Sequence, residues 1–441
     1  MRKLIIICFT LLISVAGFAQ EKKWTLQECV QYALDNNISI KQSELDIESR
    51  AIDRSDATGA FLPTVNGSVS ISERTGLSFD PITNNASTET FLSANGGINL
   101  GYNLFDGLRN VRQVQRAKLS TVASEYNLAK IKDDISLFVA NGFLDIILNK
   151  ENLKTIEAQN AVTLEQIERT QELVDGGVLP KGDLLEIKAT AASERQRIVA
   201  ARNAVILSRV SLAQLLAIQD YQGFDVVDSE YGIFGEEMVD KPVEAIIESA
   251  KDSRFEIKIA EQNLSLAEKD LQISKGAYYP TLRAFFGYNT TYSDSDPRDF
   301  VDQLYLNDGV NYGLTLNIPI LNGFATRNNV KRSKINIRRN QNLVDQAKLD
   351  LESTIYQAYT GARAAKESYE AAAAALESQE LAYEYARLRY DVGRTNAFDF
   401  SQSKLRYDNA QIELTRSKYD YIFRIKVLEL YFGVPATELK F

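Results

Sequence analysis

The chain has 441 residues, no histidine and only two cysteines, and it carries a formal net charge of −9. This composition excludes a histidine-dependent general base and argues against a soft-metal relay or a zinc site built from cysteine and histidine. The acidic balance also gives no indication of nucleic acid as a partner.

Residues 1–19 have the layout of a secretory signal peptide. Two basic residues precede an apolar run, and small residues precede the expected cleavage site. We therefore predict an exported protein. Cys8 lies inside the apolar run and not at a cleavage point, so the segment does not predict a lipoprotein. Cys29 would be the only cysteine left after cleavage, which excludes an internal disulfide.

The remaining sequence repeats itself. The residues GAFLPT at 59–64 return as GAYYPT at 276–281, an offset of 217 positions. Beyond the prolines of these segments the offset becomes 216. A near-constant offset over roughly 190 residues predicts two equivalent structural repeats.

The repeat divides the chain into three predicted parts. The first repeat spans residues 20–219 and the second spans 243–441. Between them, residues 220–242 are rich in glycine and acidic side chains and lack a helical period, so we interpret them as a connector.

Each repeat opens with a stretch of helical periodicity, Thr25–Phe61 in the first and Val243–Tyr279 in the second. Pro63 and Pro280 follow, and a proline restricts the residue before it to extended backbone. We therefore predict these two prolines as the junctions between helix and strand.

After each proline the pattern changes to strict alternation, which predicts β-hairpins at about 64–106 and 281–321. Polar segments at 75–91 and 293–308 are predicted as long loops between the strands. One face of the strands is apolar, and the other consists almost entirely of Asn, Ser, Thr and Gly. The apolar positions include Val65, Val69, Ile71, Leu92, Ile98, Leu100, Leu314, Leu316 and Ile318.

Alternation alone also fits the half-buried sheet of a soluble domain. The uncharged polar face and the length of about ten residues per strand favour a sheet that crosses a lipid bilayer. Four strands cannot close a membrane barrel, because the smallest closed barrels have about eight. We therefore predict a barrel shared between chains, with eight strands from two chains or twelve from three.

Long helices follow the hairpins, at 109–218 and 326–432. Each region consists of a helix without proline, which could span roughly 100 Å at ~1.5 Å per residue, then a glycine-bearing turn and a returning helix. Alanine mixed with regularly spaced larger apolar residues suits close antiparallel packing. A secreted coiled-coil structural or adhesive protein without a pore is the alternative.

The sequence resembles the TolC-type outer-membrane efflux proteins over nearly its whole mature length. The resemblance rests on the doubled GAFLPT and GAYYPT, the strand exits NLFDG (103–107) and PILNG (319–323), and the turn RYDVGRTNAFDFSQSKLRYDNAQIEL (389–414). It implies a homotrimer with a twelve-stranded barrel in the outer membrane, a helical tunnel in the periplasm, and an equatorial position for the connector.

The resemblance also implies partners and a function. Such a channel docks onto an inner-membrane pump of the RND or ABC class through a periplasmic adaptor protein. The chain would then be a passive duct for efflux or type I secretion, embedded in outer-membrane lipid. It would not be an enzyme, and no cofactor or metal is expected.

In this family the adaptor contacts a valine–glycine step at the turns. The matching residues are Val392 and Gly393, with Gly177 as the counterpart in the first repeat. Alternatively, the two glycines only provide a positive φ where a helix ends.

The resemblance also assigns a gate at the inner mouth. Asp399 matches an aspartate of the acidic ring, and Gln402 lies where a second aspartate often occurs. Asp183 and Tyr390 match other closing positions. Alternatively, Asp183 and Asp399 are N-caps of their helices.

One gate position departs from the family pattern. The position of the family's network arginine is Thr395 in this chain, and Arg394 precedes it.

Overall fold

The structure is a computed structural model that describes residues 22–80, 85–228 and 232–434. The predicted signal peptide, residues 1–19, lies outside the described residues. The elements in chain order are β1 (Lys23–Trp24), α1 (Leu26–Asn36), α2 (Ile38–Gly59), β2 (Thr64–Asp80), β3 (Asn85–Phe105), α3 (Arg109–Asp175), α4 (Lys181–Leu215), β4 (Asp225–Val226), α5 (Glu237–Asp240), α6 (Val243–Ser253), α7 (Phe255–Gly276), β5 (Thr281–Ser293), α8 (Phe300–Leu306), β6 (Gly309–Asn317), α9 (Ala325–Asp391) and α10 (Ala397–Phe432).

The chain forms two compact units. One contains Asn127–Ile257 and Gln346–Phe441 together with the N-terminal residues up to Glu44. The other contains Leu45–Tyr126 and Lys258–Asp345, and therefore all strands of the large sheet.

The two repeats are visible as matching elements. Helices α1 and α2 recur 217 positions later as α6 and α7, with the same lengths of 11 and 22 residues. Helix α3 recurs 216 positions later as α9, and both have 67 residues. The prediction of two structural repeats is confirmed, whereas the domain boundaries and the equatorial position of the connector stay predictions.

The helical stretch predicted at the start of each repeat consists of two consecutive helices with one break between them. The breaks lie at Asn37 and Arg254, whose ψ angles are both 134°. Asn37 accepts hydrogen bonds at its side-chain oxygen from the N–H groups of Ser39 and Ile40, at 2.9 and 3.4 Å. Its side chain therefore replaces the backbone partners that a new helix start lacks.

The four large strands form one antiparallel sheet in the order β2-β3-β5-β6. Its register places apolar residues opposite each other across all four strands. The row Val65, Leu100, Phe286 and Tyr312 is one example, and the row Asn66, Asn99, Gly287 and Asn311 lies on the other face.

The described residues of the chain leave the apolar face of the sheet uncovered. Val69 is 81% exposed, Ile71 is 72% exposed and Leu314 is 66% exposed. Such a contiguous apolar face is typical of a surface that contacts lipid or another protein.

The first loop is shorter than predicted, whereas the second keeps its predicted bounds between Ser293 and Gly309. Strand β2 runs to Asp80 and β3 starts at Asn85, so the prediction of a loop at 75–91 is wrong except for 81–84, which lie outside the described residues. The hydroxyl oxygens of Thr75 and Thr90 lie 2.8 Å apart and share a hydrogen bond across the ladder. Threonine favours extended backbone, and such cross-strand pairs extend the hairpin. In the second repeat, the segment 293–308 contains the short helix α8.

The connector is attached to its unit by buried or half-buried lysines. The Nζ atom of Lys150 lies 2.7 Å from Asp225 and 2.6 Å from Asp228, at the small parallel pair of β1 and β4. Lys426 is 1% exposed, and its ammonium group donates to the Phe234 carbonyl at 2.9 Å. These contacts hold the connector at Asp225, Asp228 and Phe234, although its sequence lacks any regular period.

Substitution of the apolar face tests its contact with lipid. We expect Leu100→Arg to cost ~2–4 kcal/mol if residue 100 lies near the bilayer midplane, because a guanidinium there loses its hydration. The measurement is the amount of heat-stable trimer in isolated outer membranes. Ser68→Arg, on the polar face of the same sheet, is the matched control and should leave that amount unchanged. Equal amounts of trimer for both variants would contradict this placement of Leu100.

Candidate functional site

The two predicted turns have the same backbone geometry. Gly177 follows α3 with a φ of +74°, and Gly393 follows α9 with a φ of +70°. In each turn the next N–H group donates to a carbonyl five residues earlier, from Val178 to Leu173 and from Arg394 to Arg389, both at 2.8 Å. This is the Schellman motif, in which glycine relieves the strain of left-handed backbone. Both glycines therefore provide the positive φ that the end of each helix requires.

Each turn also presents one exposed valine. Val392 is 68% exposed immediately before Gly393, and Val178 is 66% exposed immediately after Gly177. The repeat does not predict Val178 as a counterpart of Val392, because the position equivalent to Val178 in the second repeat is Arg394. Both turns thus combine a capped backbone with an apolar side chain in solvent.

Tyr390 belongs to the interior of this region. It is 1% exposed, its ring stacks on Phe400 with centroids 5.0 Å apart, and its hydroxyl shares a hydrogen bond with Thr170 at 3.2 Å. Burial raises the pKa of the Tyr390 hydroxyl, so it stays protonated. Tyr390 therefore joins α9 to α3 within one chain.

Asp399 is exposed in the first turn of α10. Its carboxylate accepts hydrogen bonds from Thr395 Oγ1 and from Asn396 Nδ2, both at 3.3 Å. Asn396 is the N-cap, since its side-chain oxygen accepts the N–H of Asp399 at 2.8 Å. Thr395, where the family pattern has arginine, thus contacts the predicted ring aspartate directly.

The remaining gate candidates are not brought into one network. Asp183 lies in the first turn of α4, whose N-cap is Pro180 without a side-chain bond. The alternative that Asp183 and Asp399 are N-caps is therefore wrong. Arg394 and Gln402 are exposed, and Gln402 borders a groove of about 310 Å³ between α4 and α10. Asp183, Arg394 and Gln402 make no hydrogen bond or ion pair with each other among the residues that the structure describes.

The predicted junctions lie where the chain changes from helix to strand. Pro63 stands between the end of α2 at Gly59 and the start of β2 at Thr64, and Pro280 stands between α7 and β5.

A buried charge cluster lies next to the predicted gate. The ammonium group of Lys404 is 2.9 Å from Glu194 and 2.7 Å from Asp408, and all three side chains are 4% exposed. Glu194 also accepts hydrogen bonds from Thr163 at 2.8 Å and from Asn160 at 3.1 Å. The cluster therefore joins α3, α4 and α10 through one cation and two carboxylates.

The cluster has an electrostatic consequence. Burial raises the pKa of the Asp408 carboxyl, and the neighbouring Lys404 opposes that shift. Both carboxylates form an ion pair with Lys404, so its removal would leave two buried carboxylates without that partner.

The cluster was not among the predicted sites, although the sequence contains a signal for it. Lys404 and Asp408 continue the spacing of the buried Ala397 and Phe400 along α10. Charged residues on the buried face of a helix require partners, and this indicates an internal ion pair.

No group of three or more metal-ligating side chains is present in the described ranges 22–80, 85–228 and 232–434.

Comparison with known proteins identifies relatives over most of the chain. The family model described as "Outer membrane efflux protein" matches residues 29–217 and 246–433. Protein CyaE of Bordetella pertussis is 25% identical over 375 residues, which cover 83% of this chain and 75% of CyaE. Outer membrane protein TolC of Vibrio cholerae is 22% identical over 349 residues, 78% of this chain and 77% of TolC. A crystal structure of CusC superposes with a TM-score of 0.78 at 16% identity and covers 95% of both chains.

Replacement of the buried lysine tests the charge cluster. We expect Lys404→Met to lower the free energy of unfolding by about 3–5 kcal/mol at pH 7, because two buried carboxylates lose their cation. The deficit should shrink as the pH falls, since the raised pKa of Asp408 lets its carboxyl take up a proton early on acidification. Thermal unfolding of the solubilised protein at pH 7 and pH 4.5 measures both effects.

The matched control is Lys188→Met, at the exposed counterpart of Lys404 in the first repeat, which should unfold like the wild type at both pH values. A deficit for Lys404→Met that is absent at pH 7, or that grows on acidification, would contradict the assignment.

Proposed function

Because the chain belongs to the outer membrane efflux protein family, we propose that it is the exit duct of a tripartite export assembly. In that assembly a periplasmic adaptor couples the duct to an inner-membrane pump of the RND or ABC class. The family itself consists of outer-membrane channels and not of enzymes, so the alternative of a rod without a pore no longer applies. TolC-type channels are homotrimers, and three chains with four strands each give the twelve-stranded barrel.

The observation that carries the proposal is the pair of capped turns. A Schellman motif fixes the backbone of each turn, and Val178 and Val392 stand in solvent on these fixed positions. An exposed apolar side chain on a rigid backbone loses little entropy on binding, which suits an anchor for a protein partner. Val392, Gly393 and Gly177 are therefore proposed as adaptor contacts.

We further propose that the residues next to these turns close the duct in its resting state. Asp399 is exposed beside the turn and is oriented by Thr395 and Asn396. Three copies of Asp399 around one axis would form an acidic ring that attracts cations. Tyr390 and Asp183 would act as supports for this ring, with Arg394 and Gln402 at its rim.

Site-specific photo-crosslinking tests the adaptor contact. A photoreactive amino acid at Val392 should capture a periplasmic adaptor, identified by mass spectrometry as the protein encoded with an inner-membrane pump. Tyr356 on α9, which is 47% exposed, is the control position. Adaptor capture at Val392 that is no greater than capture at Tyr356 would overturn the docking proposal.

Conductance in planar bilayers tests the acidic ring. We expect Asp399→Ala to weaken the block by multivalent cations, because the ring loses the charges that bind them. Glu244→Ala, the same loss of charge at an exposed position of α6, should keep the wild-type block. Unchanged block in Asp399→Ala would count against the gate assignment.

A further inference from the structure

The four-stranded sheet ends in two edges, β2 and β6, and each edge has a row of backbone groups without a partner strand among the described residues. Inside the chain, the two repeats already meet at a joint formed by β3 with β5 and by α3 with α7. We propose that neighbouring subunits repeat this joint, so that Thr315 lies opposite Ser70 of the partner subunit and Arg332 faces Asp53 of the partner subunit. This inference rests on the trimeric channel of the proposed function and specifies its seam.

The strand register of the seam follows from the repeat. Within the chain, Asn99 on β3 is opposite Gly287 on β5, and Leu100 is opposite Phe286. The offset of 216 converts β3 positions into β6 positions. For β5 and β2 the offset of 217 still holds, because Thr281 matches Thr64 and the apolar Phe286 matches Val69. The change to 216 therefore falls between the two strands of each hairpin. The first pair becomes Thr315 with Ser70 of the partner subunit. The second becomes Leu316 with Val69 of the partner subunit.

The faces of the strands provide an independent check of this register. Leu316 and Val69 are apolar and are 59% and 81% exposed, and both lie on the apolar face. Thr315 and Ser70 both lie on the polar face. A slip by one residue would place an apolar residue beside a polar one at every position of the seam. The transferred register therefore keeps both faces continuous from one subunit to the next.

Helices α3 and α7 form the second part of the internal joint, and their contacts can be transferred to the seam in the same way. Arg116 on α3 lies 2.5 Å from Asp270 on α7, and Lys269 donates to Gln115 at 3.0 Å. The same two offsets convert Arg116 into Arg332 and Asp270 into Asp53. The residue types of the ion pair are thus kept, although the two repeats have diverged at most other positions.

The two helix surfaces also complement each other in charge. The first part of α9 carries six basic residues and no acidic one, and α2 carries five acidic residues against three basic ones. The basic residues are Arg327, Lys331, Arg332, Lys334, Arg338 and Arg339, and the acidic residues are Glu44, Asp46, Glu48, Asp53 and Asp56. Arg332 makes no ion pair with any residue described in this chain, and its hydrogen bond goes to Asn329. Asp53 is half exposed and pairs with Arg50 of its own helix at 2.9 Å.

Apolar residues at the seam positions are exposed in the single chain. Leu45 is 63% exposed, Ile52 is 58% exposed and Ile335 is 64% exposed. They correspond to Gln262, Lys269 and Leu119, which make hydrogen bonds at the internal joint. At these positions the seam between subunits has apolar residues in place of the polar contacts of the internal joint, which is typical of a permanent interface between identical subunits.

Cysteine cross-linking tests the register in the assembled channel. Residues directly opposite each other in a ladder have Cβ atoms about 4.5–5.5 Å apart, within reach of a short thiol cross-linker. Thr315→Cys combined with Ser70→Cys should therefore give covalent dimers and trimers on denaturing gels. Cys29 is 0% exposed and stays in place, and each single variant serves as a control for its reactivity.

Thr315→Cys combined with Asn66→Cys is the matched control, since it places the second thiol on the same strand and face about 13 Å further along. It should give no covalent oligomer. Light scattering in detergent accompanies each measurement. A trimer in which the Ser70 pair fails to cross-link, or the Asn66 pair cross-links as well, would overturn the seam alone. A monomer in detergent would overturn the trimeric channel and this inference with it.

Charge exchange tests the helix contact. An exposed ion pair contributes little by itself, so the variants reverse the charge and create repulsion. Asp53→Arg should lower the temperature at which the trimer dissociates, and the addition of Arg332→Asp should restore it. Asp53→Arg combined with Arg338→Asp, the same change six residues further along α9, should not. Equal rescue by both second substitutions would show only a general effect of net charge and would overturn the Arg332 assignment.

Discussion

Lipid provides no hydrogen-bond partners for a polypeptide backbone, and this constraint governs the whole molecule. Each unpaired N–H or C=O group in the hydrocarbon layer costs several kcal/mol, which is why only helices and closed barrels cross membranes. This chain contributes one sheet of four strands with an apolar outer face and two edges. A single copy therefore cannot be the functional unit, and the sheet becomes stable in lipid only when other copies close it.

The internal repeat makes that closure simple. Because β2 and β5, and likewise β3 and β6, occupy equivalent positions in the two repeats, the contacts between repeats inside one chain can recur between chains. Three chains then place six similar repeats around one axis. The two repeats still differ elsewhere. The connector and the Lys404 cluster each occur once per chain, so the sixfold similarity applies to the sheet and its adjoining helices.

Much of this architecture could be predicted from the sequence, because it depends on periodicity. The alternation after Pro63 and Pro280, the glycines at 177 and 393, and the constant offset indicate strands, turns and repeats without any knowledge of tertiary contacts. The helix breaks at Asn37 and Arg254 could not be predicted in this way, because the spacing of buried residues continues through both, from Ala33 to Ile40 and from Ala250 to Ile257. At Asn37 the break depends on a side-chain bond instead. The same holds for the length of the first hairpin, where hydroxyl pairs such as Thr75 with Thr90 extend the ladder through a segment that has the composition of a loop. The candidate site was predictable only in part, because Tyr390 and Asp399 belong to a recognisable motif, whereas the partners of Lys404 come from distant helices.

Amide hydrogen exchange of the channel reconstituted in lipid is the most direct test of the central claim. If three chains close one barrel, the backbone amides of the edge strands β2 and β6 should be as strongly protected as those of the central strands β3 and β5. Rapid exchange along β2 and β6, with protection confined to β3 and β5, would contradict the closure of one barrel by three chains.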